Sequence, residues 1–506
     1  MSLNSEPAAP EERAELNLPP KTYADAAEEA LEPRPEPQSH ANGIDGTIEH
    51  SKHHVKNKAD AGRANGIHIP SLEEVQSLEG IGQDASPKSP TVKGHHRKGS
   101  RGSNGSLGRK HGEHLRTEAF QKHESGNGNA LMSVKPDHTL EKEHRSDLKR
   151  RNSELMTGRQ AGAGWAKSKI RWAPMNVPLQ RRLQMLAVLM HTLSIVGSLA
   201  IFFFLCAIPL LWPILLPYII YVLFSNAGTS GELSLRSERF RRLPIWSLFA
   251  SYFPARLHRS QELEPTRKYI FGYHPHGIIS HGAFAAFATE ALGFSQLFPG
   301  ITNALLTLDS NFKYPIYREY ALRLGMASVS RESCENILSK GGQNGEGMGR
   351  AITIVVGGAR ESLDSRPGTI KLVLQRRKGF IKMALRTGAD LVPVLAFGEN
   401  DIYDQLDTET HPYVHKFQML VKKVMGFTVP IFHARGIFNY DVGMMPYRRP
   451  INIVAGRPIR VVQDKHPSNE QIDHVHDKYV NELMRIWNEH KNTFAKHRSG
   501  ELEIIE

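Results

Sequence analysis

Between Phe271 and Phe284 the chain reads FGYHPHGIISHGAF, which places His274, His276 and His281 in one short segment behind an apolar stretch. Histidines at this spacing support three chemistries. As metal ligands, a His-x-His pair at a strand end opens many hydrolytic sites, but catalytic zinc needs a third or fourth protein ligand. No Asp or Glu follows the pair closely, and the histidines of DHVHD (473–477) face apart if that segment is helical. His433 and carboxylates behind other strands are left to complete such a site. As structural residues, the pair would shape a turn: Pro275 biases His274 towards extended backbone, and Gly277 lets the chain swing into a helix starting near Ser280. As acid–base groups, imidazoles titrate near ~6.5 and accept a hydroxyl proton at neutral pH after a modest shift. Positioned proton transfer is worth about 10²–10⁴ in rate. It calls for an orienting carboxylate, and Glu361 in GGARES stands at a strand end that could supply one.

Other nucleophiles have weaker support. Cys334 sits in SRESCENIL with no histidine adjacent in sequence, and the chain has no G-x-S-x-G elbow. Cys206 and Cys334, the two cysteines, lie far apart, which excludes a disulfide framework or a zinc knuckle and fits a reducing compartment.

The elements that must position these residues follow from periodicity. Strand-like runs occur at 268–274, 351–358, 391–398 and 451–456. Helical patterns lie between and after them, at 379–389 and at 470–494. The second is capped by Ser468 or Asn469 and carries Leu483, Ile486 and Trp487 on one face. This alternation predicts an α/β domain over 240–498 with a mostly parallel sheet covered on both faces. In such sheets chemistry collects at the carboxyl ends of strands. HPHG, GGARESLDSRPG (357–368) and GENDIYD (398–404) each follow a strand. The glycine-rich 339–350 lacks phosphate-loop spacing and reads as a surface loop.

Two further regions differ sharply from that domain. Residues 1–165 are poor in aromatic and β-branched residues and read as a disordered tail. Leu183–Phe224 contains no Asp, Glu, Lys or Arg and is about twice the ~20 residues one spanning helix needs. With Pro209, Pro213 and Pro217 breaking its second half, 180–226 is expected to form a membrane-embedded helical hairpin. Its parts would be a first helix near 183–207, a turn around Pro209–Pro213 and a short return that spans or half-embeds. Arg181 and Arg182 before it, and Arg236, Arg239, Arg241 and Arg242 after it, place both ends in the cytosol. Segment 242–257 reads as an amphipathic helix suited to the interface. The net charge of +12 calls for an anionic partner. No nucleic-acid-binding motif is present, and the basic clusters at 148–153 and 167–172 suit an anionic membrane face instead.

YFPARL (252–257), YIFGYHPHGI (269–278), FPGI (298–301), NFKYPIYREY (311–320) and SVSRES (328–333) occur in that order. IVVGGARESL (354–363), RKGF (377–380), GADLVPVLAFGEND (388–401) and HARGIFNYDVG (433–443) follow them. Together they resemble the type 2 diacylglycerol acyltransferase family, with its monoacylglycerol and wax-ester relatives, over about 180–495. The resemblance implies acyl transfer from acyl-CoA, a co-substrate, to a glycerolipid hydroxyl, with no cofactor and no metal. It further implies a multi-pass protein of the endoplasmic reticulum membrane and lipid droplets, in contact with membrane lipid and diacylglycerol. A homo-oligomer is compatible with it. It makes His276 the catalytic histidine and Glu361 its acidic support; His274 stays a further candidate of the site beside its turn-shaping role. Related phospholipid-synthesising acyltransferases use a His-x4-Asp pair; here the position five after His276 is His281, so the carboxylate must come from elsewhere. On this reading, backbone N–H groups at Gly277, or at Gly357 and Gly358, receive the oxyanion. Arg331, Arg366, Arg377 and Lys378 are then the candidates for CoA phosphates. Monoacylglycerol or wax-alcohol acylation is the nearest alternative activity, and a non-catalytic membrane tether is the alternative from another class.

Overall fold

The computed structural model describes residues 119–124, 130–136, 172–173, 177–405 and 431–505, together with 413, 416, 418 and 420. Eleven strands matter for the site. They are β1 (Phe120–Glu124), β2 (Ala130–Val134), β3 (Arg256–Arg259), β4 (Tyr269–His274), β5 (Thr302–Thr307) and β6 (Ala327–Ser328). After these come β7 (Arg350–Val355), β8 (Lys371–Val373), β9 (Asp390–Phe397), β10 (Asn452–Ala455) and β11 (Glu503–Ile505). The helices are α1 (Leu179–Thr192), α2 (Ser194–Cys206), α3 (Trp212–Phe224), α4 (Pro244–Tyr252), α5 (Arg331–Ser339), α6 (Gly358–Leu363), α7 (Gly379–Thr387) and α8 (Asn469–Phe494).

One nine-stranded sheet orders them β1-β2-β3-β10-β9-β4-β7-β5-β6. From β9 to β6 all neighbours are parallel. β10 is antiparallel to β9 and parallel to β3, so the sheet is mixed but, with only β1–β2, β2–β3 and β9–β10 antiparallel, mostly parallel as the sequence suggests. Alternation along β4 explains the two layers. Tyr269, Phe271 and Tyr273 enter one core with Val392 and Val394, while Ile270 enters the other with Ile352 and Leu391. The second core is closed by α8, whose Leu483, Ile486 and Trp487 are buried as the periodicity predicts. Its start is a capping box: Ser468 accepts the Gln471 N–H and Gln471 returns to the Ser468 N–H. At the amino ends of β4 and β9, Asp390 is buried and bonded to Arg267 and Arg460, an ion-pair staple away from the loops.

Three expectations need correction. First, β1 and β2 come from inside the segment read as a tail, and β2 pairs antiparallel to β3 at the sheet edge. Leu131 of ALMSV reaches the core, a run too short to change the composition around it. The rest of residues 1–165 lies outside the described residues apart from Ala119, Lys135 and Pro136. The domain also extends past 498, because β11 pairs with β8.

Second, the first apolar helix is not continuous: α1 and α2 are bent by 70° about Leu193. α1 is tied to the domain. The Gln184 amide donates to Ser251 Oγ (3.0 Å) and accepts from Arg448 (2.8 Å), while Thr192 Oγ1 bonds back to Val188 O (2.9 Å) at the bend. α2 and α3 present most of their apolar side chains outward, with Leu210 between them 85% and Phe224 84% exposed, while Phe202, Leu215 and Val222 are buried and Tyr218 of α3 donates to Glu319 (2.6 Å). Pro209 and Pro213 interrupt the apolar run as expected, Pro209 opening a 3₁₀ turn and Pro213 lying in the first turn of α3, but Pro217 sits inside α3. Among the described residues no single helix is long and apolar enough to cross a membrane, whereas the bent α1–α2 pair is when taken together.

Third, 242–257 is not one interfacial helix. α4 stops at Tyr252, ahead of Pro254, and buries Trp246, Phe249, Ala250 and Tyr252 inside the protein. Arg256–Arg259 is strand β3.

Candidate active site

Because β9, β4 and β7 are parallel neighbours, their carboxyl ends deliver three loops side by side. HPHG leaves β4, GGARES leaves β7 and GENDIYD leaves β9, so the three segments singled out by sequence converge.

The three histidines have separate environments. His274 is fully buried on the α8 side. Tyr479 donates its hydroxyl to the Gly272 carbonyl (3.0 Å), so the 2.9 Å contact between Tyr479 Oη and His274 Nε2 is donated by the histidine. Gly272 makes this possible: a Cβ there would stand 2.0 Å from the Tyr479 oxygen. Burial, with a smaller effect of His476, pulls the His274 pKa down to about 3, so the ring is neutral. The His274–Pro275 peptide is cis.

His276 alone keeps part of its surface in solvent. Its Nδ1 lies 3.0 Å from the Gly277 carbonyl, which can only accept, so Nδ1 carries the proton and Nε2 the lone pair. Burial lowers its pKa and the Gly277 bond opposes the shift, which keeps the imidazole neutral at pH 7. His281 is buried among Phe249, Phe253 and Tyr403, with Nε2 3.0 Å from the Tyr403 hydroxyl, and burial drops its pKa well below the usual value.

Glu361 is the carboxylate that meets the loop, but through the backbone and not the ring. One oxygen accepts the His276 N–H (2.6 Å), the other the Val373 N–H of β8 (3.1 Å). The expectation that it orients the imidazole directly is therefore corrected: it fixes the peptide from which the imidazole projects. Burial raises its pKa to about 7, against the pull of the two N–H bonds and of Arg377. Gly357 gives that carboxylate room, since a Cβ there would lie 2.1 Å from Glu361 Oε2. Gly358, at φ +60°, faces open space.

The cations separate. Arg377 acts on Glu361 electrostatically and so belongs near the site. Lys378, its neighbour, is paired with Asp473 of α8 at 2.6 Å. Arg331 is paired with Glu335 one turn along its own exposed helix face, 3.0 Å away, and no described contact links it to the loops. Cys334 is buried with its thiol pushed up to about 12, a state without thiolate at neutral pH. Among the described residues no three His, Cys, Asp or Glu side chains converge as a metal ion requires.

Sequence reading singled out GENDIYD but not Glu399 within it. Glu399 is buried beside HPHG: it accepts the Tyr273 hydroxyl (2.7 Å) and the Gly282 N–H (2.9 Å), and burial raises its pKa to about 7. The signal was present in the two glycines facing it. A Cβ on Gly277 would meet its Cγ at 2.8 Å, and one on Gly282 its Oε2 at 2.4 Å.

The three loops thus bring a neutral histidine, its Nε2 left as an acceptor, together with two buried carboxylates at the strand ends of an α/β sheet. The diacylglycerol acyltransferase family model matches residues 203–505. Diacylglycerol O-acyltransferase 2A of Umbelopsis ramanniana is 48% identical over 66% of this chain and 94% of its own length. Diacylglycerol O-acyltransferase 1 of Schizosaccharomyces pombe is 46% identical over 64% and 91%. The 2-acylglycerol O-acyltransferase 1 of Bos taurus is 44% identical over 65% and 97%. The solved 1-acyl-sn-glycerophosphate acyltransferase PlsC of Thermotoga maritima covers 58% of the chain at 13% identity and a TM-score of 0.25, too slight a likeness to weigh on the fold. The chain belongs to the diacylglycerol acyltransferase family.

Proposed function

We propose that this protein transfers a fatty acyl group from acyl-CoA to the free hydroxyl of diacylglycerol, forming triacylglycerol, with His276 as general base. The observation that carries the mechanism is the tautomer of His276: Nδ1–H is held by the Gly277 carbonyl, and Nε2 is left as acceptor. The acceptor hydroxyl gives its proton to Nε2 while its oxygen attacks the thioester carbonyl. The C–S bond then breaks, and the departing CoA thiolate, whose thiol ionises near ~8.5, takes a proton back from the imidazolium. The ring ends as it began and no acyl-enzyme forms. Glu361 supports the step by fixing the His276 peptide. Backbone N–H groups at Gly277, or at Gly357 and Gly358, are assigned the oxyanion on this reading, and Arg377, which acts on Glu361, is the cation favoured for a CoA phosphate. Arg331, Arg366 and Lys378 are weaker candidates, and Arg331 and Lys378 would have to leave their ion pairs.

Both lipid substrate and product dissolve in hydrocarbon. The outward apolar faces of α2 and α3 support seating the domain on the cytosolic side of the endoplasmic reticulum membrane or a lipid droplet. The test is purified protein with labelled acyl-CoA and, side by side, diacylglycerol, monoacylglycerol and a long-chain alcohol. Labelled triacylglycerol from wild type and none from His276→Ala is the expected result. A variant as active as wild type overturns the mechanism, and preference for monoacylglycerol, named in the bovine relative, reassigns the acceptor.

A further inference from the structure

We propose that Glu399 is a positioning residue for acyl transfer, stapling together the two ends of the loop that carries His276. The inference rests on His276 as the base. The loop runs from His274 to His281, and Glu399 Oε2 takes one hydrogen bond from each side of it: the Tyr273 hydroxyl before it and the Gly282 N–H after it. A single atom thus fixes the separation of the loop ends. The body of the side chain lies under the loop, where Gly277, at φ +61°, leaves it space. Gly282 does the same for the carboxylate itself. Both glycines of HPHGIISHG are therefore explained by one glutamate 117 positions beyond Gly282. The same segment holds the loop a second time, four residues on, where Tyr403 meets the buried His281 ring.

Two further facts argue against a side chain that merely fills space. Glu399 is buried, and its Oε1 has no hydrogen-bond partner among the described residues. A buried polar atom left unpaired is costly, so a hydrophobic residue would serve packing better. What a hydrophobic residue cannot do is accept from Tyr273 and Gly282 together. In the sheet, β4 lies between β7 and β9, so Glu361 and Glu399 reach the loop from its two flanks. Glu361 sets the height of the His276 peptide, and Glu399 sets the span of the loop.

The experiment compares Glu399→Gln, Glu399→Ala, Tyr273→Phe and His276→Ala in mixed micelles. Rates are normalised to acyl-CoA sites titrated with a non-hydrolysable acyl-CoA thioether, so that unfolded protein does not count. A misplacement near 1 Å costs about 10²-fold. Glu399→Ala should therefore lose about 10²-fold in kcat per site, with KM for acyl-CoA and diacylglycerol within about threefold. Glu399→Gln, which keeps an acceptor oxygen, should recover to within about tenfold of wild type, and Tyr273→Phe should fall between the two. Full kcat per site in Glu399→Ala overturns the proposal, as does Glu399→Gln no better than Glu399→Ala. If Glu399→Ala yields no titratable sites, Tyr273→Phe decides: unchanged kcat per site overturns it. Activity in His276→Ala would overturn the base assignment as well, whereas an inactive His276→Ala beside a fully active Glu399→Ala removes the staple alone.

Discussion

His274 and His276 stand on either side of one proline and are held in opposite tautomers. The strand-end residue gives its Nε2 proton to Tyr479 and is sealed inside the sheet–helix layer. The loop residue gives its Nδ1 proton to a neighbouring carbonyl and keeps Nε2 available. Two residues of the same type therefore differ in environment: one ring is sealed into the fold, and the other has an acceptor nitrogen in the loop. The deciding factor is the partner that each ring finds, which no count of histidines in a motif reveals.

Five measurements can break or sharpen this contrast. The largest effect is expected from His276→Ala, which should lower kcat about 10³-fold while leaving the thermal midpoint close to wild type. His274→Ala should do the reverse. Loss of a buried ring and its hydrogen bond should cost about 3 kcal/mol of stability, with kcat per acyl-CoA site reduced less than tenfold. Equal behaviour of the two variants would erase the distinction. Tyr479→Phe removes the hydroxyl that serves both His274 and Gly272. It should cost about 1–2 kcal/mol, seen as a lowered denaturation midpoint, without altering the pH–rate profile. The smallest effects are those of pH. His276 reacts only when neutral and its pKa is lowered, so the rate should be flat above pH 7 and fall on an acid limb below ~6.5. His274 titrates near 3 when folded and near ~6.5 when unfolded. Its contribution to stability is complete above 6.5 and declines by about 1.4 kcal/mol per pH unit below it. Thermal midpoints at pH 7.5 and 5.5 should show this decline, and His274→Gln should reduce it.

Long, strongly patterned elements were legible in the sequence. β4, β7, β9, α7 and α8 lie within a few residues of the runs that periodicity picks out, because burial on two faces leaves little freedom in residue choice. That each of the three loops follows a strand was legible, whereas the adjacency of β9, β4 and β7 that brings them together is seen in the sheet. Contacts set by distant partners were not legible. α1 is held to the domain by Gln184 meeting Arg448, 264 positions away, and a charge-free stretch gives no sign of it. Glu361 was legible as a carboxylate in the right loop. Its bond to the His276 peptide in place of the ring is a matter of ångströms that spacing does not encode. Glu399 was passed over because a carboxylate among polar loop residues reads as solvent-facing, while the glycines that accommodate it lie on another loop.

The position of β10 has a consequence for the order in which the protein is made. Asn452–Ala455 sits between β3 and β9, the link that joins the amino-terminal hairpin and β3 to the rest of the sheet. Ser260, at the end of β3, bonds to Ala455, 195 positions later. During synthesis the hairpin and β3 must wait with unpaired edges until nearly the whole chain has emerged. A nascent chain arrested before residue 452 should therefore leave Leu131 exposed and β1–β2 open to protease, while β4, β7 and β5 can already pair.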